Sequence, residues 1–141
     1  MSKYRKIIKE FNKTTTGKIV HRININLTSN SEGAYISYRN DADEDVFKLA
    51  VKDNYWSLLQ RDGTYKKLIK AVASTFYRAV IIIDLDNSLC SLYLNDYYSG
   101  EHPLIMENTN VINMRYGTDE KGKASFTVSD TEMFVNYGAY H

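Results

Sequence analysis

Residues 77–96 read Tyr77-Arg-Ala-Val-Ile-Ile-Ile-Asp-Leu-Asp-Asn-Ser-Leu-Cys-Ser-Leu-Tyr-Leu-Asn-Asp96, and this stretch decides the fold. Two apolar runs, residues 78–84 and 89–95, flank a polar corner, Leu85-Asp-Asn-Ser88. Short runs rich in Ile, Val and Leu and bounded by Asp, Asn and Ser are strands, so the stretch is a β-hairpin. Its first strand is apolar enough to lie buried on both faces. Its second delivers Asn95, Asp96, Tyr97 and Tyr98 to one end.

Short alternating runs recur along the chain, with no long amphipathic helix. In residues 18–27, Ile19, Ile23, Ile25 and Leu27 share one face, while Arg22, Asn24 and Asn26 share the other. His21 falls on the apolar side, as a partly buried, hydrogen-bonded strand residue. Strands follow at 34–39, 46–52 (Phe47, Leu49 and Val51 inward) and 55–60, after a turn at Asp53-Asn54. Arg61-Asp-Gly-Thr64 is a hairpin signal of the Asp-Gly kind leading into 65–70. Residues 70–77 fit a loop or one helical turn. A strand at 111–116 and a last one within 124–137, kinked at Ser129-Asp130, complete the set. At the N-terminus, Tyr4, Ile7 and Phe11 have helical spacing, but an edge strand fits the rest better. With no internal repeat or linker, residues 1–141 make one all-β domain, a sandwich or a barrel.

Composition narrows the function. The chain has 141 residues, eighteen basic and seventeen acidic, for a net charge of +1. That balance argues against nucleic acid, and no run reaches the length of a membrane-spanning helix. The basic N-terminus (Lys3, Arg5, Lys6, Lys9) reads as a solvated strand face. The single cysteine, Cys90, excludes an internal disulfide and reads as a small buried thiol. Twelve tyrosines and one proline suit strands joined by Gly, Asn, Asp and Ser turns.

The string from Phe76 to Asp96 resembles the signature hairpin of concanavalin A-like (laminin G-like) jelly rolls. Tyr77 stands at the usual Trp position, Asp84 at the strand-terminal Asp, and Tyr93-Leu94-Asn95 at the returning strand. Asp96 replaces the usual Gly. Residues 110–117 resemble the penultimate strand and residues 126–135 the closing one, with Asp130 at its Asp position. The resemblance spans roughly residues 17–137. It implies an all-β, two-sheet antiparallel jelly-roll sandwich, serving as an accessory module of a polysaccharide-degrading protein, secreted or on a cell surface, with a neighbouring domain in the same parent chain. The abrupt ends, with the tail Asn136-Tyr-Gly-Ala-Tyr-His141, fit an excised module.

Catalytic patterns are lacking. Hydrolases of that superfamily present carboxylates as E-x-D-x-x-E, and Asp130-Thr-Glu132 lacks the third acid. His21, His102 and His141 have no partner at a telling spacing, and there is no phosphate-binding Gly loop. A non-catalytic module is therefore expected, with no cofactor required. Asp41-x-Asp43-x-Asp45 opens like a calcium loop, but Val46 and Lys52 occupy the positions needing Gly and an acid. These three acids are the candidate metal ligands, and a solvated acidic loop is the plainer reading.

The pattern that remains is aromatic rings beside short polar groups, which suits sugars: apolar C–H faces stack on rings while Asn, Asp and Arg bond the hydroxyls. The expected contact set is Asn95, Asp96, Tyr97, Tyr98 and Arg115, with Tyr55 and Trp56 as a second aromatic platform. Tyr35, Tyr38 and Tyr116 are further candidates. The other class of answer is a spacer or protein-interaction domain without a glycan ligand. A hydrolase with a non-standard acid pair ranks last.

Overall fold

The computed structural model describes residues 6–28, 32–119 and 126–136, and every element among them is a β-strand. In chain order these are β1 (Lys6–Thr14), β2 (Lys18–Leu27), β3 (Ala34–Arg39), β4 (Asp45–Lys52), β5 (Tyr55–Leu59) and β6 (Tyr65–Lys70). There follow β7 (Phe76–Asp84), β8 (Leu89–Leu94), β9 (Tyr97–Tyr98), β10 (His102–Pro103), β11 (Val111–Thr118) and β12 (Phe126–Asn136). Sheet A has the order β1-β11-β3-β4-β5-β6. Sheet B has the order β10-β8-β7-β2-β12, with β9 added on β8. All pairings are antiparallel, and the architecture is the expected two-sheet jelly-roll sandwich.

Period-2 alternation builds the layer between the sheets. From sheet B, Ile19, Ile23, Ile25, Ile81, Ile83 and Leu92 point inward. From sheet A, Ile36, Phe47, Leu49, Val51, Trp56 and Leu58 meet them, and all are at most 2% exposed. Each such side chain removed from water contributes about 1.5–3 kcal/mol. Tyr77 and Trp56 meet edge-on across the sheets with centroids 5.4 Å apart.

The opening hairpin forms the middle of sheet B, with Ala79 to Asp84 paired to Leu94 to Leu89. Its first strand is buried on one face only. Val80 and Ile82 point away from the sandwich and stay half-exposed, with no third layer over them among the described residues. The turn 71–75 contains no helix. Val72 N–H donates to the Tyr77 hydroxyl at 2.8 Å, holding that corner. Residues 6–14 form an edge strand on β11, and the kink near Ser129-Asp130 is a register shift between Asp130 and Glu132. Lys3, Arg5, His141 and the tail beyond residue 136 lie outside the described residues.

The tight turns use the chemistry the sequence offers. Asp53 and Asn54 both adopt positive φ, 52° and 67°, as a two-residue hairpin turn of this hand requires. The Glu32 carboxylate accepts from both their N–H groups, at 2.8 and 3.1 Å. At the Asp-Gly turn, Gly63 takes φ 89°, and Asp62 accepts from the Thr64 amide and hydroxyl. Those two bonds hold the Asp62 carboxyl below its usual value.

Candidate functional site

The turn at Asp53-Asn54 fixes which residues of β5 face out. Val51 pairs with Trp56 and both lie in the core; Lys52 pairs with Tyr55 and both face away from it. Trp56, expected in an exposed aromatic platform, is therefore 1% exposed and packs the interior. Its Nε1 is buried with no hydrogen-bond partner among the described residues, so the ring acts there as an apolar filler. Tyr55 keeps the outward position.

On that outward face a cross-strand row runs Tyr35, Ala50, Ser57, Lys67, one residue from each of β3 to β6. Ala50 and Ser57 are small and only 2% and 0% exposed, because longer neighbours lie over them. Those neighbours are tyrosines and lysines in contact. Lys48 Nζ sits 4.9 Å from the Tyr35 ring centroid, Lys52 Nζ 5.0 Å from Tyr65, and Lys67 Nζ 4.8 Å from Tyr55. A cation over a tyrosine face at this distance contributes about 0.5–1 kcal/mol at an exposed site. Lys52 also pairs with Asp119 at 3.2 Å.

Arg115, on β11, opens the adjacent row, opposite Ser37, which in turn faces Lys48. It is fixed by the acidic loop. Asp43, with φ 61°, bonds the guanidinium groups of both Arg39 and Arg115, and Arg39 reaches Asp45 at 2.6 Å. The attraction of Arg39, with that of Arg115 after it, holds the Asp43 carboxyl below the usual carboxylate range despite partial desolvation. Asp41 bonds Lys13 at 2.7 Å and Asn110 at 3.1 Å, and these bonds lower its carboxyl too. The three acids expected as metal ligands thus serve as partners of cations. Among the described residues no group of three metal-ligating side chains converges.

The expected contact set divides between opposite faces of the sandwich. Asn95 takes the left-handed conformation (φ 56°), and its side-chain oxygen accepts from the Arg78 amide at 2.8 Å. It thus makes the turn, where a Gly had been expected one position later. Asp96 is exposed and Tyr97 half-buried. Tyr98 packs on Tyr93 with centroids 4.7 Å apart and stays 46% exposed on the outward face of sheet B. It borders a shallow depression of about 140 Å³ with Lys18, Ile82, Asp84, Ser91 and Glu101. Tyr55 and Arg115 lie on sheet A, so one small ligand cannot touch both groups. Of the other candidates, Tyr38 is fully buried, Tyr116 leans inward against the core, and Tyr35 alone joins the sheet A face.

Lys48, Lys52, Tyr65 and Lys67 escaped notice in the sequence. Their signal is a second period-2 pattern, on the polar side of each strand: Tyr35/Ser37, Lys48/Ala50/Lys52, Tyr55/Ser57 and Tyr65/Lys67. The other reactive side chains are engaged elsewhere. Burial pushes the Cys90 thiol up to about 12. His21 bonds Tyr38 inside the core, and His102 Nε2 lies 2.9 Å from the Ser99 carbonyl oxygen.

No protein-family model matches the chain, and no curated protein does. Solved structures do. A sialidase superposes with a TM-score of 0.81 at 9% identity, over 94% of this chain and 14% of its own length. This chain thus corresponds to a small part of that protein. A tetrameric galectin from the ball sponge Cinachyrella sp. gives 0.61 at 12% identity, over 94% of this chain and all of its own. Sheep galectin-11, in complex with glycerol, gives 0.59 at 11% identity, over 91% and 95%. At these identities the likeness is one of fold: the two-sheet β-sandwich jelly roll. The finer concanavalin A-like assignment is not part of what these likenesses carry.

Proposed function

We propose that this chain is a non-catalytic, lectin-type glycan-binding module whose contact surface is the outward face of sheet A. The observation that carries this reading is the set of three tyrosines, Tyr35, Tyr55 and Tyr65, around a floor of Ala50 and Ser57. Rings on three strands beside a small-residue trough can seat several sugar units in line, while Arg115, Ser37 and the lysines reach hydroxyls. The lectin-type jelly roll supports it. We further propose that the module serves a larger glycan-acting protein outside the cell, joined to a neighbouring domain, and that it needs no metal. Retention on polysaccharide affinity gels tests the reading. Tyr55→Ala is expected to abolish retention with an unchanged Tm, and absence of retention on every polysaccharide would overturn it.

A second reading, a protein-docking domain, draws on the outward face of sheet B. There Phe134, Val20 and Ile82 form a cross-strand apolar row with no layer above it among the described residues, and Phe134 is 50% exposed. Self-association or capture of a partner through Phe134, without any glycan retention, would favour it.

A further inference from the structure

We infer that the glycan taken by the sheet A face is acidic, carrying carboxylate or sulfate groups; this rests on the glycan-binding reading above. The inference comes from what covers the rings. Each of the three outward tyrosines has an ammonium group within about 5 Å of its ring centroid. A neutral sugar seeking to stack on Tyr35 or Tyr55 must first displace Lys48 or Lys67, with no gain from moving the charge. An acidic sugar instead draws the ammonium toward its own anion, so that one event forms an ion pair and uncovers the ring.

Charge pairing on the face fits this division. The two arginines are held by Asp43 and Asp45, and Lys52 by Asp119. Lys48 and Lys67 are in no ion pair among the described residues, and their contacts are with tyrosine rings. They come from β4 and β6, with Ser57 on β5 between them, so two anionic groups on successive parts of a chain can be met across the trough. Arg115, Arg39 and Lys52 are balanced by Asp43, Asp45 and Asp119, so the unbalanced positive charge of this row is that of Lys48 and Lys67.

The test is affinity electrophoresis of the whole chain through gels holding a uronate polymer, a sulfated glycosaminoglycan, or neutral glucans and xylans. Stronger retention by an acidic polymer than by the neutral ones is expected, weakening with added salt. Lys48→Gln combined with Lys67→Gln should weaken it about tenfold, whereas Lys18→Gln, a charge removed from sheet B, should not. Equal retention on neutral and acidic polymers would overturn the inference while leaving glycan binding intact. So would an equal loss in Lys18→Gln, or equal competition by DNA, which would mark simple ion exchange. Retention on no polymer of either kind would remove both readings together.

Discussion

His21 Nδ1 lies 2.6 Å from the Tyr38 hydroxyl, joining β2 of one sheet to β3 of the other inside the core. His21 is 1% exposed and Tyr38 fully buried, and Phe11 and Phe47 pack around them with centroids 5.6–6.4 Å apart. The contact is thus a polar link between the two sheets in aromatic surroundings, where a hydrogen bond is stronger than in water.

Replacing Tyr38 by Phe keeps the ring and removes the hydroxyl from His21. Urea denaturation should show a loss of about 1–2 kcal/mol with an unchanged m-value, as expected for one buried hydrogen bond. No loss would show that the contact contributes nothing net.

The adjacent pair Tyr55 and Trp56 should separate stability from binding. Trp56→Ala empties a large core volume and should cost about 3–5 kcal/mol, read as a lower Tm. Tyr55→Ala should leave Tm nearly unchanged and remove polysaccharide retention. The reverse pattern would contradict both the register of β5 and the choice of face.

Asn95→Ala should cost roughly 1–2 kcal/mol, because alanine neither favours a φ of 56° nor bonds the Arg78 amide. Glycan retention should survive, since the side chain builds the turn. Lost retention with full stability would return Asn95 to the contact set.

Acid should loosen the arginine clasp. Asp43 is held below its usual 3.8, so its ion pairs contribute above that value and are lost as pH falls through the lower folded one. NMR titration of the Asp43 carboxyl should give a midpoint below 3.8 in the wild type and a normal one once Arg39 and Arg115 are both replaced by Gln.

Cys90 behaves oppositely. Its thiol is raised from 9.0 to about 12, so the folded state favours the protonated form. Stability from this group is complete below pH 9 and falls as pH rises further, by about 1.4 kcal/mol per unit until the folded value is reached. Alkylation of native protein should be slow and should track global unfolding. Fast labelling of folded protein at neutral pH would refute the burial.

Much of the sandwich was legible because alternation is a local property. The inward sets of β2, β4 and β7 appear within single runs, and the Asp53-Asn54 and Asp62-Gly63 turns announce themselves. The proposed site was less legible because it is assembled across strands. Tyr35, Ala50, Ser57 and Lys67 are neighbours only through pairing, and 32 positions separate the first from the last. Trp56 misled for a different reason. Every residue from Tyr55 to Leu59 except Ser57 is apolar or aromatic, so the run does not reveal which face is inward. The turn before it decides, by pairing Tyr55 with Lys52. Asn95 looked like a ligand residue because a turn and a binding loop draw on the same side chains.

Among the described residues β6 is one edge of sheet A, β1 being the other, and it carries Lys66, Lys67 and Lys70, all exposed. An unpaired edge is a template on which a second copy of the chain could add its own strand, and rows of lysine are one way proteins prevent it. The charge that would greet an acidic polymer therefore also keeps neighbouring molecules apart. Lys67 alone belongs to both sets: it is proposed to meet an acidic polymer with Lys48, and it guards the edge with Lys66 and Lys70. A substitution of Lys67 that favoured a neutral glycan would therefore also weaken the guard on this edge.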